Sequence, residues 1–103
     1  MNYTENYNGV KIDVQTVNAE IPASVQEEIR ASIDKLSRFT QTINALDVYF
    51  KEEGHGNAPV KVVSMRVGVP GPDVFAEERG EQWITMLKAV TDKNIRQLQK
   101  GKD

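Results

Sequence analysis

The sequence predicts an α+β fold: a two-layer sandwich in the order β-α-β-β-β-α, with two helices on one face of a four-stranded sheet. Four segments alternate apolar with polar residues, which is the period of a strand with one buried face. Two longer segments repeat apolar residues every three or four positions, which is the period of an amphipathic helix. Elements in this order pack as two layers around one core.

The first strand and the first helix follow a polar start. Residues 1–9 show no periodicity, so we expect a loose extension there and a single domain over residues 10–103. The segment "VKIDVQTV" then alternates as a strand does. The segment "EIPASVQEEIRASIDKLSRF" has Pro22 near its first turn, where the missing N–H costs little. Its apolar residues fall on one helical stripe: Val25, Ile29, Ile33 and Leu36.

Three further strands and a second helix complete the pattern. The strands "ALDVYFKEE" and "VKVVSMRVGV" flank the turn "GHGNAP" and predict a hairpin, and "PGPD" leads into a short strand, "VFAEE". We expect these three to form an antiparallel meander, while the first strand pairs in parallel or sits apart. The last helix, "EQWITMLKAVTDKNIRQLQK", has a broad apolar arc that Asn94 alone interrupts: Trp83, Ile84, Leu87, Val90, Ile95 and Leu98.

Composition and charge exclude several classes of protein. The chain has no cysteine, which removes disulfides, thiolate metal sites and a cysteine nucleophile. No apolar run is long enough for a membrane span, and the amino terminus lacks the features of a signal peptide. We therefore expect a soluble, cytoplasmic protein. A net charge of −2 argues against general coating of nucleic acid or membrane, so an anionic partner has to meet a local basic patch.

Candidate catalytic and metal-binding groups do not combine into a site. His55 is the only histidine, and it lies in a glycine-rich turn beside Glu52 and Glu53 without further ligands at fixed spacing. Glu77 and Glu78 are neighbours in a strand, so they point to opposite faces and cannot act as a carboxylate pair. We therefore expect no enzyme activity, no metal, no cofactor and no small-molecule substrate.

Positive charge collects at the end of the chain. From Lys93 onward four basic residues face one acidic residue, a net charge of +3, whereas residues 1–92 carry 9 basic and 14 acidic residues, a net charge of −5. Lys93, Arg96 and Lys100 follow at i, i+3 and i+7, so they share one stripe of the last helix. The residues alone leave two readings open: cations that complement the helix dipole at its C-terminus, or contacts to the phosphates of folded RNA.

The stretch "AEERGEQWITMLKAVTDKNIRQLQK" resembles the closing stretch of the ribosome hibernation-promoting factors, a family that includes ribosome-associated inhibitor A and the sigma-54 modulation proteins. "IDKLSRF" is similar to the end of that family's first helix, and "INALDVYFKEE" is similar to the strand that follows. The resemblance covers roughly residues 10–102 in matching element order. It implies a fold close to that of double-stranded-RNA-binding domains.

The resemblance also implies a function. Members of that family bind small-subunit rRNA near the decoding centre and occupy the channel of mRNA and tRNA, which implies a steric inhibitor of translation in hibernating ribosomes. The rRNA-contacting positions map onto the two helices: Lys35, Arg38, Lys93, Arg96 and Lys100, supplemented by Lys88 and Lys102. Longer members carry a second domain that pairs ribosomes, so the resemblance implies a short form for which pairing would need another factor.

The acidic part of the chain keeps a second hypothesis open. Glu27, Glu28 and Asp34 neutralise the basic residues of the first helix, within a segment of net charge −5. A divergent acidic relative could act as a protein-interaction or regulatory module through an exposed sheet face or edge. Salt dependence separates the two hypotheses, because phosphate contacts weaken steeply as salt rises.

Overall fold

The computed structural model describes residues 2–54, 57 and 59–101, which form five strands and two helices. The helices pack against each other and against the sheet, so the predicted α+β class is confirmed. Within the described residues, neither helix is long and apolar enough to cross a membrane. The elements follow in chain order: β1 (Tyr3–Tyr7), β2 (Val10–Val17), α1 (Ala23–Leu36), β3 (Ala45–Glu53), β4 (Val60–Gly68), β5 (Val74–Gly80) and α2 (Trp83–Lys100).

The strands form one sheet in the order β1-β2-β3-β4-β5. β2 and β3 are parallel, with Ile12 opposite Leu46, and α1 connects them. β3, β4 and β5 form an antiparallel meander. The predicted pairing is therefore confirmed, since a parallel pair needs a crossover such as α1, whereas antiparallel neighbours need only a turn.

The four-stranded sheet predicted from the sequence is wrong, because Tyr3–Tyr7 form a fifth strand instead of a loose extension. β1 pairs antiparallel with β2 through a turn at Asn8 and Gly9, whose φ angles of 51° and 79° are both positive. A two-residue Asn-Gly turn is a strong hairpin signal, because its twist matches that of the strands it joins. The signal was present in the sequence, but β1 itself lacks an apolar period.

Polar bonds explain how so polar a strand is held. The Tyr7 hydroxyl donates to the Asp34 carboxylate of α1 at 3.0 Å, and Arg30 of α1 forms an ion pair with Glu5 at 2.6 Å. The ion pair with Glu5 also raises the pKa of Arg30. The bonds from β1 to α1 thus come from a tyrosine hydroxyl and from charged groups rather than from aliphatic residues, which is why hydrophobic periodicity does not reveal the strand.

The hydrophobic core lies between one face of the sheet and both helices. All four residues of the predicted α1 stripe are buried, and the predicted α2 arc is buried except for half-buried Ile84. Trp83, expected in the core, is 8% exposed and packs edge-on against Phe50 with ring centroids 5.4 Å apart. The predicted inner faces of both helices are therefore confirmed.

Three polar side chains of the helices are buried: Ser32 of α1, and Thr91 and Asn94 of α2. The hydroxyl oxygens of Ser32 and Thr91 lie 2.9 Å apart. Asn94 is fully buried, and its Nδ2 donates to the Met65 carbonyl of β4 at 3.2 Å. Within the described residues its Oδ1 accepts no hydrogen bond. An unpaired buried acceptor is costly, so Asn94 is a weak point in the core.

Candidate nucleic-acid interface

The two helices run side by side in the same direction and end together. Ser32 of α1 contacts Thr91 of α2, and further along both segments Phe39 and Leu98 line one groove. Both helix C-termini therefore lie at one end of the domain. We call it the basic end, defined by three cations: Arg38, Arg96 and Lys100.

The three cations of the basic end are exposed. Arg38 lies in the turn after α1, where its N–H donates to the Lys35 carbonyl, and the other two lie in the last turns of α2. Among the described residues, none of the three has a carboxylate within ion-pair distance. Each is therefore available to an anionic ligand.

Lys35, a predicted rRNA contact, is paired with an acidic residue within the fold. Its ammonium pairs with the Asp92 carboxylate of α2 at 2.6 Å, with both side chains about half exposed. The pair joins the two helices on their outer side. A phosphate that contacts Lys35 therefore has to compete with Asp92.

Lys93 is also engaged within the fold. Its ammonium pairs with Glu78 of β5 at 2.9 Å and donates to the Glu77 carbonyl at 3.2 Å. The bond to Lys93 lowers the pKa of Glu78. One turn later, Gln97 accepts from the Phe75 N–H at 3.3 Å and donates to its carbonyl at 2.6 Å. Lys93 and Gln97 thus bind the outer main chain of β5 and protect an otherwise open sheet edge.

The remaining predicted cations and the histidine lie apart from the basic end. Lys88 is exposed on α2, and at about 100° per residue it lies about 80° around the helix from Arg96. Lys102 and His55 lie outside the described residues. The described residues hold no group of three acidic or histidine side chains that could bind a metal ion.

Cations at the opposite end of the domain are paired. We call this the hairpin end, defined by residues at the tip of β3 and β4 and the end of β5: Lys51, Glu53, Lys61 and Arg79. Lys51 and Arg79 both pair with Glu53, and these bonds, chiefly that from Arg79, lower the pKa of Glu53. The Lys61 ammonium lies 4.9 Å from the centre of the Trp83 ring, a distance at which a cation is attracted to the ring face.

Sequence reasoning missed the partners that distinguish these cations. Asp92, the partner of Lys35, lies on the other helix, and Glu78, the partner of Lys93, lies on strand β5. The spacing of residues along the sequence reveals neither pair. The role of Gln97 was not predicted either, because its partner is the main chain of Phe75 rather than a side chain of recognisable type. The alternation of β5 does place Glu78 on the helix side, but the residue that meets it depends on the docking angle of α2.

A family model described as "Sigma 54 modulation protein / S30EA ribosomal protein" matches residues 12–103. A ribosome hibernation promoting factor of Klebsiella oxytoca is 24% identical over 94 residues, which cover 91% of this chain and 95% of that protein.

Two solved structures are similar in fold. The Protein Y N-terminal domain of Thermus thermophilus has a TM-score of 0.73 at 17% identity, over 86% of this chain and 94% of that one. A ribosomal subunit interface protein from Coxiella burnetii has a TM-score of 0.69 at 21% identity, over 88% of this chain and 96% of that one. At such identities the structural likeness speaks for the fold alone.

Proposed function

Because this chain belongs to the sigma 54 modulation protein / S30EA ribosomal protein family, we propose that it binds the ribosome and inhibits translation during hibernation. The basic end contacts small-subunit rRNA near the decoding centre and excludes mRNA and tRNA sterically. The name of one relative, a ribosome hibernation promoting factor, supports the proposal. The protein acts in the cytoplasm by occupying this site, without catalysis or cofactor.

One observation carries this proposal: the three cations of the basic end have no acidic partner among the described residues, although the chain is acidic overall. Arg96 and Lys100 are four residues apart, about 6 Å along the helix axis, and Arg38 joins them from the neighbouring helix. Cations placed in this way contact phosphates of folded RNA and fix its position without reading sequence. Double-stranded-RNA-binding domains, to which the sequence predicts a similar layout, also bind RNA largely by its shape and backbone.

The other four predicted rRNA contacts contribute to binding to different extents. Lys35 contributes after separation from Asp92, because exposed ion pairs are worth only about 0.2–1 kcal/mol. Lys93 is occupied by β5 and serves mainly to hold α2 on the sheet. Lys88 and Lys102 are auxiliary contacts, proposed from the sequence resemblance.

The test is cosedimentation with purified small ribosomal subunits at low and near-physiological salt. We expect the double variant Arg96→Glu/Lys100→Glu to bind at least about tenfold more weakly than the unchanged protein, because two phosphate contacts become repulsive. The variant leaves Lys93 in place, since Lys93→Glu would also set a carboxylate beside Glu78 and disturb the β5 edge. A melting curve checks that the variant is folded.

A matched control uses a lysine on the other side of the sheet. Lys11 is exposed on β2 and has no ion pair among the described residues, so Lys11→Glu makes the same charge change as Lys100→Glu. Only the change at Lys100 should weaken binding. Equal binding by both single variants and by the double variant would refute the basic end as the rRNA contact.

The face of the sheet that the helices leave uncovered, here called the open face, supports a second candidate function, that of a protein-interaction module. Asp13 lies directly opposite Asp47 in the parallel pair, a like-charge arrangement that destabilises a sheet. Neither carboxylate has an ion pair among the described residues, and Phe75 on the same face is 45% exposed beside Arg66. A basic protein segment would suit this face. If the double variant at the basic end still binds ribosomes, Asp13→Asn/Asp47→Asn should then weaken the complex.

A further inference from the structure

We propose that a groove at the basic end receives an unpaired base of the RNA whose phosphates the surrounding cations contact. The inference rests on the proposed function and adds a second kind of contact to it. The groove encloses about 370 Å³ between the residues after α1, the β4–β5 connection and the end of α2. Its apolar wall consists of six residues: Phe39, Val69, Pro70, Pro72, Val74 and Leu98.

The distribution of charge fits a nucleotide better than a free phosphate. The described lining contains no lysine or arginine and includes the acidic residue Asp73, so the groove has no positive charge of its own to attract a free anion. The cations stand next to it in the chain: Arg38 precedes Phe39, and Lys100 precedes Gly101, and both neighbours line the groove. An apolar groove with cations beside it suits a nucleotide, because the flat base can enter the groove while the anionic backbone contacts the cations.

The elements that line the groove are fixed to one another without a ligand. Gln97 lines it and is fixed by its two bonds to the main chain of Phe75, which tie α2 to β5. Pro70 and Pro72 stiffen the β4–β5 connection, since each ring fixes its own φ angle. A wall prepared in this way loses little conformational entropy when a base enters.

One lining group indicates which base the groove prefers. Gln97 is already paired, and the Thr40 hydroxyl donates to the Thr42 carbonyl at 3.4 Å. Among the described residues, the Asp73 carboxylate has one ion-pair partner, Arg66 at 3.9 Å, so it keeps acceptor capacity. Guanine offers a ring N–H and an amino group side by side, which suits a carboxylate, whereas uracil has no amino group. The groove therefore favours guanine.

The experiment is an NMR titration of the ¹⁵N-labelled protein at low salt with three probes of equal length. They are a guanine-rich and a uracil-rich single-stranded oligoribonucleotide, and an abasic sugar–phosphate oligomer. All three should shift the amides of Arg96 and Lys100, whereas only the two with bases should shift those of Val69, Val74 and Leu98. We expect the guanine-rich oligomer to bind about tenfold more tightly than the uracil-rich one.

Two variants sharpen the titration. Asp73→Asn removes the charge without changing the shape and should reduce the guanine preference towards unity. Glu81→Gln removes the same charge beside the N-terminus of α2, at the other end of that helix, and should leave the preference intact.

The outcomes separate this inference from the proposed function. Shifts confined to Arg96 and Lys100 with every probe would overturn the groove and leave the basic end standing. Groove shifts of equal size with the abasic oligomer would also overturn it. Absence of shifts at both places with all probes would overturn the inference together with the rRNA contact on which it rests.

Discussion

The hairpin end and the basic end each carry three cations, yet they differ in what those cations can do. At the hairpin end Lys51 and Arg79 share Glu53, and Lys61 lies over Trp83. At the basic end Arg38, Arg96 and Lys100 have no such partner among the described residues. The two ends therefore differ in whether their cations are paired within the fold rather than in the number of cations they carry.

The direction of the helices contributes to this difference. Both helices begin near the hairpin end and finish at the basic end, and the partial negative charge of a helix C-terminus stabilises nearby cations. The basic end can therefore keep cations without acidic partners. The two readings of the C-terminal charge are therefore compatible, because cations that the helix dipoles stabilise need no acidic partner and remain accessible to a phosphate.

The largest effect that separates the two ends should come from their aromatic residues. Phe50 is fully buried against Trp83 at the hairpin end, so Phe50→Ala should lower the free energy of unfolding by about 3–5 kcal/mol. Phe39 at the basic end is half-buried, so Phe39→Ala should cost less than about 2 kcal/mol. Urea unfolding of both variants measures the difference.

Equal losses in the two variants would contradict this comparison. Phe39 would then belong to the core as fully as Phe50 does, and its ring would not be free to face a ligand. A small loss for Phe39→Ala together with weaker binding of guanine-rich RNA would support a base-binding wall at the basic end.

Most of the fold could be predicted because the aliphatic residues carry its pattern. The strand and helix periods place Ile12, Leu46 and Ile29 in the core, and the structure buries all three. β1 could not be found in the same way, since its stabilising contacts are Tyr7 with Asp34 and Glu5 with Arg30. Polar bonds between distant segments leave no period in a sequence.

The candidate site could be predicted only as a set of cations. Helical spacing places Lys93, Arg96 and Lys100 on one stripe, but it cannot say that Glu78 meets the first of them. Pairing depends on how α2 docks on β5, which is a tertiary property. The groove was missed for the same reason, because Phe39 and Leu98 are brought together only by the parallel course of the two helices.

A smaller effect is expected midway between the two ends, at Asn94. The substitution Asn94→Leu removes a buried side-chain oxygen that accepts no hydrogen bond from the described residues. It also removes the hydrogen bond that the side-chain amide donates to the Met65 carbonyl. We expect the free energy of unfolding to rise by about 1 kcal/mol. Binding to small subunits should not change, since the side chain is fully buried. A lower unfolding midpoint in urea would show that the hydrogen bond to Met65 outweighs the unpaired oxygen.

The smallest effect should appear in the pH dependence of the hairpin end. The pKa of Glu53 is lowered from its ordinary value of 4.5, mainly by the hydrogen bond from Arg79 and then by that from Lys51. A carboxylate with a lowered folded-state pKa stabilises the fold above its unfolded-state pKa, and this contribution is lost as the pH falls through the folded-state value. Stability should therefore decline as the pH falls below about 4.5.

Thermal melting between pH 6 and pH 3 tests this sign. Glu53→Gln keeps the shape but removes the charge, so the unchanged protein should be the more stable of the two at pH 6, and the gap should close as the pH falls. Glu52→Gln is the matched control, because Glu52 has no ion pair among the described residues. A gap for Glu53→Gln that stays constant across this range would mean that Lys51 and Arg79 do not stabilise the ionised carboxyl. Lys51 and Arg79 would then be as available as the cations of the basic end, and pairing with Glu53 could no longer explain why the two ends differ.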